Sequence, residues 1–129
     1  MYKKIIYLAL LLLGSIGYSQ SLDCSKFKNG KFYNPSFPSS TCVIKDTIME
    51  DLSKDVVIFT WTLKWLNDCE FEAVCTKSTD DFVAIGDKMI VTIIATNDDC
   101  FGFTRKLLGK TFADGLDTKS FYSCIEKSK

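Results

Sequence analysis

The residues with the clearest capacity for chemistry are six cysteines, all of which follow residue 20. An even number of cysteines behind a secretory signal is typical of disulfides that form in an oxidising compartment. Zinc binding is the alternative, but the chain has no histidine, no CxxC pair and only wide cysteine spacings. We therefore predict disulfides, and neither a metal nor another cofactor. The six are Cys24, Cys42, Cys69, Cys75, Cys100 and Cys124.

The predicted disulfides are Cys24–Cys69, Cys100–Cys124 and Cys42–Cys75. Cys24 begins a segment with little regular structure, and a bond to Cys69 would tether it to a hairpin. Cys100 and Cys124 lie in successive predicted strands, which are usually neighbours. The third pair follows by elimination. Cys69 and Cys75 are not expected to pair, because six strand residues span about 20 Å and a disulfide requires Cα atoms within about 7 Å.

Other catalytic chemistry has little support in the sequence. Without histidine, the commonest general base and the Ser-His and Cys-His nucleophile pairs are missing. No glycine-rich phosphate loop or nucleophile elbow occurs. A carboxylate-dependent hydrolase needs two carboxyl groups facing one cleft, and we expect the abundant carboxylates to form a solvated face instead. We predict no catalytic residues. The carboxylates considered were Asp68, Glu70, Glu72, Asp80 and Asp81.

One hairpin over residues 56–75 is the element around which the other residues must be placed. Side chains alternate across a strand with period two, and two runs of alternating apolar residues flank Asn67-Asp68, a dipeptide that tolerates turn geometry. We predict strands on both sides of this turn, each with one apolar face. The apolar positions are Val57, Phe59, Trp61, Leu63 and Trp65 in the first strand, and Cys69, Phe71, Ala73 and Cys75 in the second.

Three aromatic residues of this hairpin are candidates for lining a ligand cavity: Trp61, Trp65 and Phe71. Plain core packing is the competing interpretation and the favoured one, because any β core requires an aromatic strand face.

The remaining chain adds short strands separated by turns. Strands are predicted at 31–33, 41–45, 47–51, 88–96, 100–108 and 119–126, with a loop over 112–119. The strand at 88–96 is apolar on both faces, which predicts burial on both sides. Short helical turns are predicted at 26–29 and 78–85, with a loop as the alternative for the second. The expected fold class is all-β, an antiparallel meander forming a half-open barrel or sandwich with one or two short helical turns.

Residues 1–19 have the pattern of a cleavable secretory signal peptide. Lys3 and Lys4 precede an apolar run over 5–13, which is too short to span a membrane. The small residues Gly17 and Ser19 predict cleavage near Ser19. Residues 20–129 would then be a single disulfide-bonded β domain, secreted to the periplasm or the exterior, with no membrane span. It would have 14 basic against 16 acidic residues, a net charge of −2, which argues against nucleic-acid binding.

The signal ending GYSQ at 17–20 and three motifs that follow it resemble a group of small secreted proteins of Bacteroidota-type bacteria, some of which carry a DNA topoisomerase IV name. The three motifs are DCSKFKNGKF at 23–32, KWLNDCEFE at 64–72 and IGDKMIVTII at 85–94. The resemblance implies that Cys24 and Cys69 have counterparts in that group, and it implies no biochemical role. Nothing in this chain supports the topoisomerase activity, since it lacks a basic face and an acidic metal cluster. The strand order also resembles part of a lipocalin-type meander, without the Gly-x-Trp signature.

Three functional hypotheses follow. The leading one is a non-enzymatic periplasmic or extracellular domain that binds a small apolar ligand or a protein partner. The second is a structural or envelope-maintenance protein. The third, least favoured, is a carboxylate-dependent hydrolase. An aromatic-lined internal cavity would favour the first, a solid core the second, and two convergent carboxyl groups the third.

Overall fold

The computed structural model describes residues 22–110 and 119–127. The predicted signal peptide lies outside the described residues, as does the predicted loop at 112–119 except for Lys119. Eight strands follow a short 3₁₀ helix at Ser25–Phe27. They are β1 Gly30–Asn34, β2 Phe37–Lys45, β3 Ile48–Ser53, β4 Val56–Asn67, β5 Glu70–Ser78, β6 Lys88–Asn97, β7 Cys100–Leu107 and β8 Ser120–Ile125.

The strands form a closed antiparallel barrel in which each strand pairs with its neighbours in the chain. Closure comes from β1 and β8, where Phe32 pairs with Ile125 and Tyr33 with Cys124. The prediction of an all-β antiparallel meander is confirmed, and the barrel is closed rather than half-open. An eight-stranded barrel has an interior that side chains can fill or that can hold one small ligand.

The central hairpin is confirmed. Trp61 and Leu63 are buried inside the barrel, whereas Thr62 and Lys64 on the opposite parity are exposed. Its two-residue turn is formed by residues 68 and 69, one position later than predicted, because Asn67 still pairs with the first residue of β5. A register shift just before Asn67 accounts for the difference.

Burial of β6 on both faces was a wrong prediction. Met89, Val91 and Ile93 are buried, but Ile94 on the outer face is 49% exposed. The wall of the barrel is a single layer, and among the described residues no helix covers its outer surface. A strand rich in β-branched residues can therefore have one solvent-exposed face. Such residues favour strand conformation, and this preference does not by itself require burial on both faces.

A turn of 3₁₀ helix plugs one end of the barrel. Phe27 in this turn is 2% exposed, and its ring centroid lies 4.5 Å from that of Phe101 and 6.3 Å from that of Phe32. The prediction of a short helical turn here is confirmed, one residue earlier than expected. At 78–85 the loop alternative is correct: the side chains of Ser78 and Asp80 bond nearby backbone groups, which favours turns over a helix.

Two of the three predicted disulfides are present, Cys24–Cys69 and Cys100–Cys124. The Cys42–Cys75 prediction is wrong, because both of these residues are free thiols. Cys42 lies on β2 and Cys75 on β5, so three strand spacings separate them, about 14 Å along the sheet. A disulfide needs Cα atoms within about 7 Å. Elimination failed because it assumed that every cysteine is paired.

Candidate ligand-binding site

The barrel interior contains a polar cluster in an otherwise apolar core. Asp51 on β3 is paired across the sheet with Cys42 on β2, so both side chains have the same inward parity. Arg105 lies on β7, four strands away around the eight-stranded ring, and therefore extends into the interior from the opposite wall. We call the group Cys42, Asp51, Trp61 and Arg105 the Asp51 cluster.

Hydrogen bonds hold the Asp51 carboxyl group in the barrel. The indole Nε1 of Trp61 donates to Asp51 Oδ2 at 2.9 Å, and the Cys42 thiol also donates to this carboxyl group. Trp61 is only 2% exposed, so the surrounding core fixes the position of its N–H group. Asp51 is thus oriented by residues from the strands on both sides of its own, β2 and β4.

Arg105 is positioned by an aromatic ring. Its guanidinium carbon lies 4.5 Å from the ring centroid of Phe121 on β8, a cation–π distance. Stacking occupies a face of the planar guanidinium, whose N–H donors point outward in the plane. Hydrogen-bonding partners of Arg105 are therefore expected at the edge of the group rather than on the stacked face.

Three cavities meet at the Asp51 cluster, and Asp51 and Arg105 line each of them. The inner cavity, about 90 Å³, extends towards Phe27 and is mostly apolar. The aromatic cavity, about 320 Å³, lies against β1, β2 and β8. The loop cavity, about 220 Å³, lies beneath the β5–β6 connection. The rings of the aromatic cavity are those of Phe32, Phe37, Phe103, Phe121 and Tyr122.

The β5–β6 connection covers the loop cavity. Val83 in this segment is 6% exposed and belongs to the hydrophobic core. The segment is fixed from outside by Lys110, whose Nζ lies 2.7 Å from Asp87 Oδ2 and donates to the carbonyl of Phe82 at 2.9 Å. The β5–β6 connection is therefore anchored to the core through Val83 and to Lys110, which follows the end of β7.

Burial affects both acids of the cluster. Burial raises the pKa of Asp51 above its ordinary value, and the Trp61 hydrogen bond, the charge of Arg105 and the Cys42 hydrogen bond oppose this shift. Burial also raises the pKa of the Cys42 thiol well above its ordinary value, and the nearby Asp51 adds to that effect. Cys42 is thus a neutral thiol at neutral pH, whereas Arg105 stays cationic.

The raised pKa of Asp51 predicts an unusual pH dependence of stability. Between the ordinary carboxyl pKa of about 3.9 and the raised folded-state pKa, the folded protein binds a proton that the unfolded chain does not. The contribution of Asp51 to the free energy of unfolding should therefore increase as pH falls through this window. Urea unfolding of the wild type and Asp51→Asn from about pH 7.5 to pH 4 checks this.

In the comparison with Asp51→Asn, the contributions of the other carboxyl groups to the free energy of unfolding cancel. Hydrogen bonds from Ser25, Lys110 and Lys127 lower the pKa values of Asp23, Asp87 and Asp99, respectively. Those three groups lose their contributions as pH falls, but equally in both proteins. Parallel stability curves for the two proteins would contradict a raised pKa at Asp51.

The structure separates the three aromatic residues predicted to line one cavity. Trp61 lines the loop cavity, and Phe71 lines the inner cavity. Trp65 lies near the plugged end of the barrel, with its ring 4.9 Å from that of Phe71 and Lys28 Nζ 4.8 Å from its centroid. Trp65 is partly buried against the core.

The carboxylates singled out in the sequence mostly lie away from the interior. The Asp68 side chain is 94% exposed beside Lys28, and Glu70 accepts a 2.7 Å hydrogen bond from the Thr92 hydroxyl group. Asp80 is the exception, since it lines the loop cavity together with Asp51. Within residues 22–110 and 119–127, no group of three or more Cys, Asp or Glu residues could hold a metal ion.

The grouping of Asp51, Arg105 and Cys42 in one cluster was not predicted from the sequence. A signal for Arg105 was available in β7, where Phe101, Phe103, Arg105 and Leu107 occupy one parity. A charged residue at an apolar position of the alternation indicates a charge that points inward. For Asp51 the signal is weaker, because β3 has apolar residues on both parities, Ile48 on one and Met49 on the other.

Comparisons with protein-family models, with curated proteins and with solved structures found no match for this chain. Within the part of the chain that the structure describes, no helix is long and apolar enough to cross a membrane.

Proposed function

We propose that this protein is a non-enzymatic binding protein whose barrel interior holds one small, largely apolar molecule. The observation that carries the proposal is the position of Asp51 and Arg105, which together line three cavities inside the barrel. Ligand sites in proteins are commonly apolar cavities with a few convergent polar groups that fix orientation.

The aromatic cavity is the best candidate for the main ligand site. Its volume of about 320 Å³ falls within the range of about 300–1,000 Å³ for small-molecule sites. Five aromatic residues line it, with Asp51, Arg105 and Ser123 as polar neighbours. An apolar ligand body would contact the rings, and its polar end would reach the Asp51 cluster.

A purely structural role for the cluster is the main alternative. Replacing a buried ion pair with apolar residues is often neutral or stabilising, so a charged cluster is a poor device for stability alone. The retention of open volume beside it favours binding. A hydrolase would need two carboxyl groups facing one substrate. Asp80 lines the loop cavity together with Asp51, but Asp80 is solvent-exposed and its carboxylate accepts from the backbone N–H of Phe82, which is the usual role of an Asp in a turn.

The proposed location is outside the cytoplasm, in the periplasm or beyond. Two disulfides are typical of an oxidising compartment, and the secretory pattern of residues 1–19 supports the same location. In that setting a closed barrel could carry or sequester an apolar molecule that is poorly soluble in water.

Binding of N-phenyl-1-naphthylamine, a neutral aromatic fluorophore, tests the proposal. We expect saturable binding with one site and a dissociation constant in the micromolar range, about −8 kcal/mol. Ser123 faces both the inner and the aromatic cavities, so Ser123→Phe should fill the space and weaken binding at least about tenfold. Fluorescence titration of the purified oxidised protein measures both values.

The matched control is Ser120→Phe. Ser120 lies on the same strand but is exposed on the outer face, so the same substitution should leave affinity unchanged. Equal affinity of the wild type and Ser123→Phe would show that the dye binds elsewhere, and absence of saturable binding would overturn the proposal.

A further inference from the structure

The polar wall of the aromatic cavity has an unusual charge composition. Among the described residues that line it, the charged ones are one acid and one base, Asp51 and Arg105. Cys42, the remaining titratable member of the Asp51 cluster, carries a neutral thiol. Tyr122, half of whose surface is exposed, also lines the cavity. With Asp51 ionised and Arg105 cationic, the wall has strong local dipoles and no net charge.

We infer that the aromatic cavity takes an uncharged molecule whose polar end carries a hydrogen-bond donor and an acceptor side by side, as carboxamides and lactams do. This inference rests on the proposed function and adds the chemical class of the ligand's polar end. The donor of the ligand would bond the Asp51 carboxylate, and its acceptor would bond an N–H group of Arg105.

The hydrogen-bonding capacities of the two side chains fit this class. An ionised carboxylate accepts about four hydrogen bonds, and those to Asp51 from Trp61 and Cys42 leave capacity for a further donor. A guanidinium group has five donors and no acceptor. Asp51 and Arg105 thus offer opposite hydrogen-bonding functions to the same cavity, which a group with both a donor and an acceptor complements.

Charge balance excludes tight binding of an ion. A carboxylate or an ammonium group moved from water into the cavity loses solvation, and this loss is recovered only against an uncompensated opposite charge. Asp51 and Arg105 carry opposite charges and line the same cavity, and the charge of Arg105 lowers the pKa of Asp51 against the larger opposing effect of burial. An uncharged polar end avoids the cost and still forms charge-assisted hydrogen bonds with both side chains.

Three ligands with one naphthalene body test the inference: 1-naphthaleneacetamide, 1-naphthaleneacetate and 2-(1-naphthyl)ethylamine. Each is titrated against protein loaded with N-phenyl-1-naphthylamine at about pH 7. The wild type should bind the amide at least about tenfold more tightly than either ion. Acetate or amine binding that equals or exceeds amide binding in the wild type would overturn the inference.

Charge variants give the second half of the test. Asp51→Asn leaves the positive charge of Arg105, so the acetate should gain at least about tenfold relative to the amide. Arg105→Met removes the positive charge that opposes cation binding in this cavity, so the amine should gain by a similar factor. The double variant should bind all three ligands with affinities that differ less than in the wild type. An unchanged amide preference in both single variants would overturn the inference.

The experiment separates this inference from the proposed function. If the dye binds in a Ser123-dependent manner but the amide is not preferred, the interior is a ligand site of another selectivity. If neither the dye nor any of the three ligands binds, the proposed function fails together with the inference. The wild-type comparison needs no substitution, so a variant that does not fold cannot leave the question open.

Discussion

Trp61→Ala is expected to lower the free energy of unfolding by about 3–5 kcal/mol. Two losses contribute. The ring is 2% exposed and belongs to the core, so truncation leaves a large cavity. The indole N–H also donates to Asp51 at 2.9 Å, and its removal leaves a buried carboxyl group without one of its donors, at a cost of about 1–3 kcal/mol.

Urea unfolding monitored by circular dichroism measures this change, because Trp fluorescence is itself altered by the substitution. Trp61→Phe separates the two losses, since it keeps most of the apolar ring and removes the N–H group. Trp65→Ala is the matched control at a partly buried position on the same strand, and it should cost clearly less. Similar losses at Trp61 and Trp65 would contradict the assigned role of Trp61.

Removal of the Cys24–Cys69 disulfide is the second large expected effect. This bond joins residues separated by 45 positions, and the chain-entropy relation assigns a loop of that size roughly 4 kcal/mol. The bond also holds the 3₁₀ turn whose Phe27 packs against Phe101 at one end of the barrel. The double variant Cys24→Ser/Cys69→Ser should therefore lose stability and also loosen this plug.

Alkylation of Cys42 provides a specific readout of the plug. Cys42 and Phe27 line the same inner cavity, so loosening Phe27 should expose the Cys42 thiol to iodoacetamide in the folded protein. Cys100→Ser/Cys124→Ser is the control, because that bond joins directly paired residues of neighbouring strands. It should reduce stability without increasing Cys42 alkylation. Equal alkylation in both double variants would show that the Cys24–Cys69 disulfide does not hold the Phe27 plug in place.

Most of the fold could be predicted because its signals are local. Period-two alternation, as in Trp61-Thr62-Leu63-Lys64, determines which face of a strand is buried and requires no knowledge of distant residues. The predicted strands correspond to β1–β8 with shifts at their ends. The end of the central hairpin was misplaced by one residue, because a register shift before Asn67 leaves no clear mark in the alternation.

The candidate site could not be predicted in the same way. Asp51 and Arg105 are 54 positions apart and belong to strands on opposite walls. Their proximity depends on barrel closure through β1 and β8, and closure is a property of the whole sheet. The same reason explains Cys42 and Cys75: each has an inward parity that sequence can indicate, but their separation is set by the order of strands around the ring.

The sequence by itself determined the strands, their apolar faces and two of the disulfides, because alternation, turn residues and the adjacency of successive strands act over short stretches of chain. Only the tertiary structure decided that the meander closes, that its wall is a single layer with Ile94 outside, and that the interior retains space around Asp51 and Arg105. The physical reason is that closure and cavity formation depend on how all eight strands pack together. A charge on an inward parity becomes a ligand-binding group only when the opposite wall brings its partner into the same cavity.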